Sequence, residues 1–423
     1  MAHLLLLLPS MSYRGEAFLE AANKVGVSLT VAGDAPPDFL KYSPASFLTL
    51  DLHNPKAAIP SVVAFAKTFP IDVVLGVNDH TAVLASSLSA ALGLAANSID
   101  SVQAASNKLM MRRLLQKAGL PCPNFVVARF DKNPTDIVQQ VTFPCVLKPL
   151  TLSGSCGVIR ADDPESFQKA FFRIGNLLKT FTKTGQDGSR HQILIEDFIP
   201  GFEVALEGLL TKDAFYPLAL FDKPDPLDGP YFEETIYVTP SRLASEMQAR
   251  IAESLSQAAR AIGLQEGPIH GELRINDQNI WVIEVAARSI GGKCSRMLEF
   301  GTGRSLEELI LLHALGEELP RLDLTRRAAG VMMIPIPQGG ILERVDGQDE
   351  ARQAAGIEEL VMTAQPGDEL VPLPEGKRYL GFILARGTLP EEVEEILREA
   401  YQRLTVVMRP DNTNMTCQKT YRV

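Results

Sequence analysis

Glu272 and Glu284 stand twelve residues apart, and the Asn276–Asn279 segment between them supplies turn chemistry to two runs of strand composition. Folding back across that turn brings the two carboxylates opposite each other. Strand alternation puts His270, Glu272 and Arg274 on one face and Ile269, Gly271, Leu273 and Ile275 on the other, while Glu284, Ala286 and Arg288 share a face of the return strand. Facing carboxylates repel unless a cation lies between them. Hard oxygen donors of this kind suit Mg²⁺, which takes one or two carboxylates together with substrate phosphates. The alternative is an ion-pair ladder with Arg274 and Arg288, the commoner outcome for an isolated hairpin.

Three further groups lie upstream. Lys148 ends an apolar strand on the same face as Val146 and precedes the loop Ser153-Gly154-Ser155-Cys156-Gly157. Successive N–H groups in such a loop form an anion nest, and the ammonium adds a point charge, so the pair could hold a polyphosphate; a plain hairpin turn is the alternative. Lys108, in a helical segment, is a weaker candidate for the same work. Glu196, Asp197, Phe198, Ile199 and Glu203 join two strands through a short segment whose backbone groups are expected to be free for a ligand. An adenine needs such a donor and acceptor edge, an apolar slot and a carboxylate within reach of ribose hydroxyls.

Elements that position these groups are legible around them. Up to about residue 100, apolar runs (Leu4 to Leu8, Val27 to Val31, Phe47 to Leu50, Ile71 to Val77) alternate with helical patterns, predicting a parallel α/β sheet. The turn after the first strand lacks the GxGxxG of a dinucleotide site. Ser101 to Ala118 predicts one helix closed by Gly119. Asp163-Pro164-Glu165 starts another by the cap and first-position proline rules. The stretch from Phe221 to Glu234 is rich in proline and glycine and reads as a loop over a site. Beyond residue 330, two strand-like segments and a helix from Pro390 to Arg403 suggest a smaller α+β unit. Asp79 and His80 follow a parallel strand, where α/β ligands usually lie.

The 423 residues leave room for about two to three domains, and 46% hydrophobic content is that of a globular protein. Asp and Glu number 51 against 41 Lys and Arg, with no basic block, so a nucleic-acid surface is not expected. The five cysteines, at 122, 145, 156, 294 and 417, form no CxxC pair and fit reduced cytoplasmic thiols. Met1 to Pro9 has too short an apolar core for a signal peptide and reads as a buried strand. A soluble chain is expected, since no apolar run approaches membrane-spanning length.

Taken in order, Lys108, Lys148, Ser153 to Gly157, Glu196 to Glu203, Glu272 and Glu284-x-x-x-Arg288 resemble the ATP-grasp superfamily over essentially the whole chain, and most nearly its carboxylate-amine ligases, such as bacterial L-amino acid ligases. The resemblance implies an α/β and α+β fold. Its expected parts are a Rossmann-like N-terminal domain (1–100), connecting helices (101–130), a small ATP-binding lobe (131–208) and a C-terminal lobe (209–423) ending in a biotin carboxylase-like subdomain from about 330. It implies ATP and Mg²⁺ as cofactors. Lys108, Lys148, Ser153, Gly154, Ser155 and Gly157 would meet the phosphates, Glu196, Asp197, Phe198 and Ile199 the adenine, and Glu203 the ribose. Glu272 and Glu284 would hold magnesium. Arg288, with Gly291 and Gly292, would hold a substrate carboxylate and the acyl phosphate. Lys148 and Arg288 would be catalytic. Glu233, Glu234 and His270 are further substrate-binding candidates.

Family members often carry Asn two residues after the second Glu; Ala286 stands there, which leaves open one or two magnesium ions. The implied activity is amide formation between small-molecule carboxylate and amine substrates, amino acids among them, by a cytoplasmic enzyme with a homodimer as the family expectation. A carboxylase or a ligase using another nucleophile, and a non-catalytic ATP sensor, are the alternatives.

Overall fold

The computed structural model describes residues 1–10, 12–38, 40, 45–182, 191–300, 303–320, 322–323, 327–409 and 419–422. Cys417 lies outside them. The first sheet is parallel, in the order β3-β2-β1-β4, with β1 at His3–Leu7, β2 at Ser28–Gly33, β3 at Ser46–Thr49 and β4 at Val73–Gly76. Its helices are α1 (Gly15–Val25), α2 (Pro55–Ala66) and α3 (Asp79–Leu92). The leucine run of β1 is explained by burial on both faces. Leu4, Leu6 and Leu8 pack with Phe18 of α1, and Leu5 and Leu7 with Val62 of α2 and Leu84 of α3.

The single helix expected over Ser101 to Ala118 is two, α4 (Ile99–Ala105) and α5 (Lys108–Lys117). Asn107 makes the break, because its side-chain oxygen accepts from Leu109 N (3.1 Å) and Met110 N (3.2 Å) and so starts a new helix.

A small antiparallel sheet follows, β5-β8-β6-β7, from β5 (Phe125–Arg129), β6 (Cys145–Pro149), β7 (Ile159–Ala161) and β8 (Gln192–Asp197). With it run α6 (Pro134–Ile137) and α7 (Pro164–Thr182). Cys145 and Leu147 pack beneath Phe167, Phe171 and Ile174 of α7. Alternation therefore turns Val146 and Lys148 to the opposite face, as the pattern predicts.

The large sheet runs β13-β12-β9-β10-β11-β14-β18-β16. Its strands are β9 (Phe202–Leu210), β10 (Phe215–Asp222), β11 (Ile236–Thr239), β12 (Gly267–Ile275), β13 (Ile280–Ala286), β14 (Ala328–Ile334), β16 (Ile357–Met362) and β18 (Gly381–Gly387). Helices α8 (Ser245–Ala261), α9 (Leu306–Ala314), α10 (Gln348–Arg352) and α11 (Pro390–Gln402) accompany it. A last sheet, β17-β15-β19-β20, is formed by β15 (Gly340–Asp346), β17 (Glu369–Leu370), β19 (Thr405–Arg409) and β20 (Lys419–Arg422).

Strand pairing moves two expected boundaries. β5 joins the small sheet rather than the connecting helices, and β9 pairs along its length with β12 and leaves the small lobe; β14, β18 and β16, from the stretch expected as a smaller unit, extend the large sheet. Composition could not show this, since sheet membership is decided by partners distant in sequence. Among the described residues no helix is long and apolar enough to cross a membrane.

Because Asn107 both caps α5 and places Lys108 at its first position, Asn107→Ala is expected to lower stability by about 1 kcal/mol. Denaturant unfolding of the two proteins side by side measures it.

Candidate active site

A cleft of about 1150 Å³ is lined from every part of the chain, including Tyr13 and Asp79, Lys148 and Ser153, Glu272 and Arg288, and Phe382.

On its small-sheet side, Lys148 Nζ lies 2.6 Å from Glu196 Oε2, and Glu196 Oε1 takes Arg112 Nε at 2.5 Å. Arg112 is fully buried and also donates to Val282 O (3.3 Å) and Ile283 O (2.8 Å). Ile283 is the additional residue of a bulge in the edge strand β13, so the arginine satisfies carbonyls that the ladder leaves open. Burial alone would raise the Glu196 carboxyl, but Arg112 and Lys148 outweigh it and hold it at about 2. For Lys148 burial dominates and lowers the ammonium below its usual value. Sequence reading missed Arg112. Its signal is its place three residues after Leu109 on the buried stripe of α5.

The loop after β6 carries Gly154 and Ser155 at φ +62° and +54°, consecutive left-handed residues of the kind that turn N–H groups toward an anion. Ser153, Gly154 and Ser155 line the cleft, but Gly157 does not. Its N–H donates to Pro374 O at 2.7 Å. Lys108 Nζ donates to Leu152 O of this loop (2.8 Å) and lies 3.4 Å from Glu284.

The linker differs from expectation. Asp197 N and Phe198 N donate to Asn124 O and Pro144 O, each at 3.0 Å, so these two groups are not free. Among the described residues no main-chain acceptor takes Ile199 N. The Glu196 side chain is committed to Arg112 and Lys148 and cannot meet a base. Phe198 keeps its ring in the cleft, with the Arg160 and Arg274 guanidinium carbons 4.2 and 5.1 Å from its centroid.

On the large sheet, Glu272 and Glu284 pair directly across the hairpin. Leu273 and Ile275 pack with Leu255 of α8 below, which turns His270, Glu272 and Arg274 into the cleft. The ladder with the arginines does not form. Arg274 donates to Leu227 O, Gly201 O and Asp228, and Arg288 holds Asp79. Lys223, which the sequence reading also missed, lies just past β10 with Nζ 2.7 Å from Glu203, 2.8 Å from Glu234 and 3.6 Å from Glu272. Burial would lower this ammonium, yet the three acids raise it well above the usual lysine value. Burial would raise Glu272, and Lys223 and His270 reverse that. His270 sits between Glu207 (3.5 Å) and Glu272 (3.7 Å), whose charge overcomes the depressing effect of burial and raises the imidazole.

Glu203, Glu234 and Glu272 offer oxygens within 4.8 Å of one another, and Lys223 already supplies the positive charge there. Glu272 and Glu284 pair across the hairpin and both line the cleft, with Glu284 beside Lys108, and two such carboxylates suit a hard divalent cation. Ala286 is fully buried and adds no oxygen donor. Gly291, Gly292 and Glu234 line the cleft and Glu233 does not.

Residues 19–95 match the ATP-grasp N-terminal domain, 141–297 the ATP-grasp domain and 332–409 the L-amino acid ligase C-terminal domain 2. The chain belongs to the ATP-grasp family. The L-amino acid ligase of Bacillus licheniformis is similar in structure, with a TM-score of 0.84 and 26% identity over 97% of this chain and 99% of that one. The L-arginine-specific L-amino acid ligase of Bacillus subtilis is 21% identical over 87% of this chain and 86% of its own. The alanine–anticapsin ligase of Bacillus subtilis (strain 168) is 24% identical over 60% of this chain, a match spanning 56% of its own length. This ATP-grasp protein thus stands among the carboxylate–amine ligases, enzymes that form carbon–nitrogen bonds with ATP.

The buried Arg112–Glu196–Lys148 group gives a stability prediction. Glu196→Gln leaves two buried cations without their anion and is expected to cost about 3–5 kcal/mol at pH 7, read by denaturant unfolding. A carboxylate with a lowered pKa stabilises fully above its unfolded value of 4.5 and loses that contribution as pH falls toward about 2. The deficit of the variant should therefore narrow over that interval.

Proposed function

We propose that this ATP-grasp ligase joins the carboxylate of one amino acid to the amino group of another amine, in most cases a second amino acid, releasing ADP and phosphate. What carries the reading is the convergence in one cleft of Lys148, the left-handed loop at Gly154 and Ser155, the paired Glu272 and Glu284, and Arg288.

Carboxylates acylate poorly because oxide is a hopeless leaving group. Here the substrate carboxylate oxygen attacks the γ-phosphorus of ATP in line, ADP departs, and an acyl phosphate forms. The amine then adds to the acyl carbon and phosphate leaves with the former carboxylate oxygen. Phosphoryl transfer of this kind asks the protein for positioning and charge rather than covalent chemistry. Lys148 and Lys108 hold the phosphates, and the N–H groups at Ser153 to Ser155 cover them. Phe198 provides a face for the adenine, Ile199 N its hydrogen-bond edge, and Glu203 a ribose partner. Magnesium, held by Glu272 and Glu284, would supply charge neutralisation to the phosphate oxygens. Arg288 and the glycine backbone at 291 and 292 hold the substrate carboxylate and then the acyl oxyanion. Glu234, oriented by Lys223 and Tyr237, is the acceptor for a substrate ammonium, and His270, held between Glu207 and Glu272, orients Glu272.

Phosphate release from MgATP with pooled amino acids added or withheld, with the products read by mass spectrometry, tests this. Release is expected only with the pool present and in step with amide product, and ATP binding without turnover in every pool would contradict it. Arg288→Ala should lower kcat by about 10² to 10³. Removal of Mg²⁺ with a chelator should abolish release, and excess Mg²⁺ should restore it.

A further inference from the structure

We propose that Asp79, in the N-terminal domain, is a positioning residue for Arg288 that fixes which edge of the guanidinium faces the reacting groups. This rests on the ligase reading for the role of Arg288.

Arg288 Nε donates to Asp79 Oδ1 at 3.0 Å and Nη2 to Oδ2 at 3.3 Å, a side-on fork, while Nη1 donates to Ser289 O at 3.2 Å. A guanidinium carries five N–H groups. Three are thus used, and the two that remain sit one on each terminal nitrogen. An end-on fork to a carboxylate or phosphate takes one N–H from each terminal nitrogen, the number that the Asp79 and Ser289 contacts leave. A lone arginine on a flexible stem would have to adopt this pose at each turnover, at a cost in rotamer entropy.

Asp79 is itself firmly set. Gly76 ends β4 with no room for a side chain, since a Cβ there would lie 2.3 Å from the Thr81 backbone. The chain then turns through a capping box in which Asn78 and Thr81 exchange hydrogen bonds, and Asp79 is the first residue of α3. Its carboxylate sits in the first turn, where the helix dipole favours negative charge. Two neighbours hold the rest of the same loop: Arg14 bridges Val77 O and Ser289 O, and Tyr13 Oη accepts from Gly292 N at 2.8 Å. The N-terminal domain therefore grips residues 288 to 292 at three points. Burial would raise the Asp79 carboxyl, and Arg288 more than offsets it, while Asp79 in turn raises the guanidinium.

The test compares the full chain with Asp79→Ala, Arg288→Ala and the double variant, using calorimetric binding of MgADP alone and of inorganic phosphate in the presence of MgADP. MgADP affinity should stay within about twofold throughout. Phosphate affinity should fall about 10- to 100-fold in Asp79→Ala. The double variant should bind phosphate no worse than Arg288→Ala, because Asp79 acts only through that arginine. Steady-state assays with an active substrate pair should show kcat falling in Asp79→Ala while KM for ATP is unchanged. Unaltered phosphate affinity in Asp79→Ala, additive losses in the double variant, or equal loss of MgADP affinity would each overturn the proposal. If no pair of substrates turns over with the wild-type protein, the ligase reading falls, and the phosphate measurements still decide the role of Asp79.

Discussion

Negative charge concentrated on one hairpin face is the constraint around which this cleft is organised. Glu272 and Glu284 are paired across β12 and β13, with Glu203 and Glu234 close by. Ionised carboxylates at such spacing repel, and burial raises the cost of each. The surrounding elements answer with cations drawn from distant parts of the chain: Lys223 from the end of β10, Lys108 from the start of α5, and His270 from β12 itself. Lys223 meets Glu203 and Glu234 directly and Glu272 at 3.6 Å, while Glu284 stands at the Lys108 side of the cleft.

A second consequence is that the charged groups also join the parts of the molecule. Arg112 reaches from α5 to Glu196 on β8 and to carbonyls of β13, so the small sheet and the large sheet are referred to one buried guanidinium. Arg173 of α7 forms a fork with Glu375 at 2.5 and 2.8 Å, and Gly157 N bonds Pro374 O, which tie the loop side of the small sheet to the C-terminal segment. Breaking one partner of the buried Arg112–Glu196 pair costs more than the contact itself is worth, because the other charge is stranded. The geometry of Lys148 relative to the hairpin is thereby fixed by interactions outside the cleft.

Local patterns were legible where a single face is buried. The hairpin, its turn, the pairing of Glu272 with Glu284 and the direction of Lys148 all follow from period-two alternation, because α8 and α7 cover the opposite faces. Partners distant in the chain were not legible. Asp79 and Arg288 are 209 residues apart, and nothing in their flanking residues points from one to the other. Glu196 reads in the sequence as part of an adenine-binding connection, and only the folded chain shows its commitment to Arg112 of α5. The boundary between lobes was misplaced at β9 for the same reason, since strands of either sheet have the same composition.

The central claim is that a carboxylate is activated as an acyl phosphate in this cleft. It is tested most directly by supplying an active carboxylate substrate labelled with ¹⁸O in both carboxyl oxygens and analysing the released phosphate by mass spectrometry. One ¹⁸O per phosphate is the expected result, because the oxygen that attacks phosphorus leaves with it when the amine arrives. Amide product accompanied by unlabelled phosphate would contradict the account.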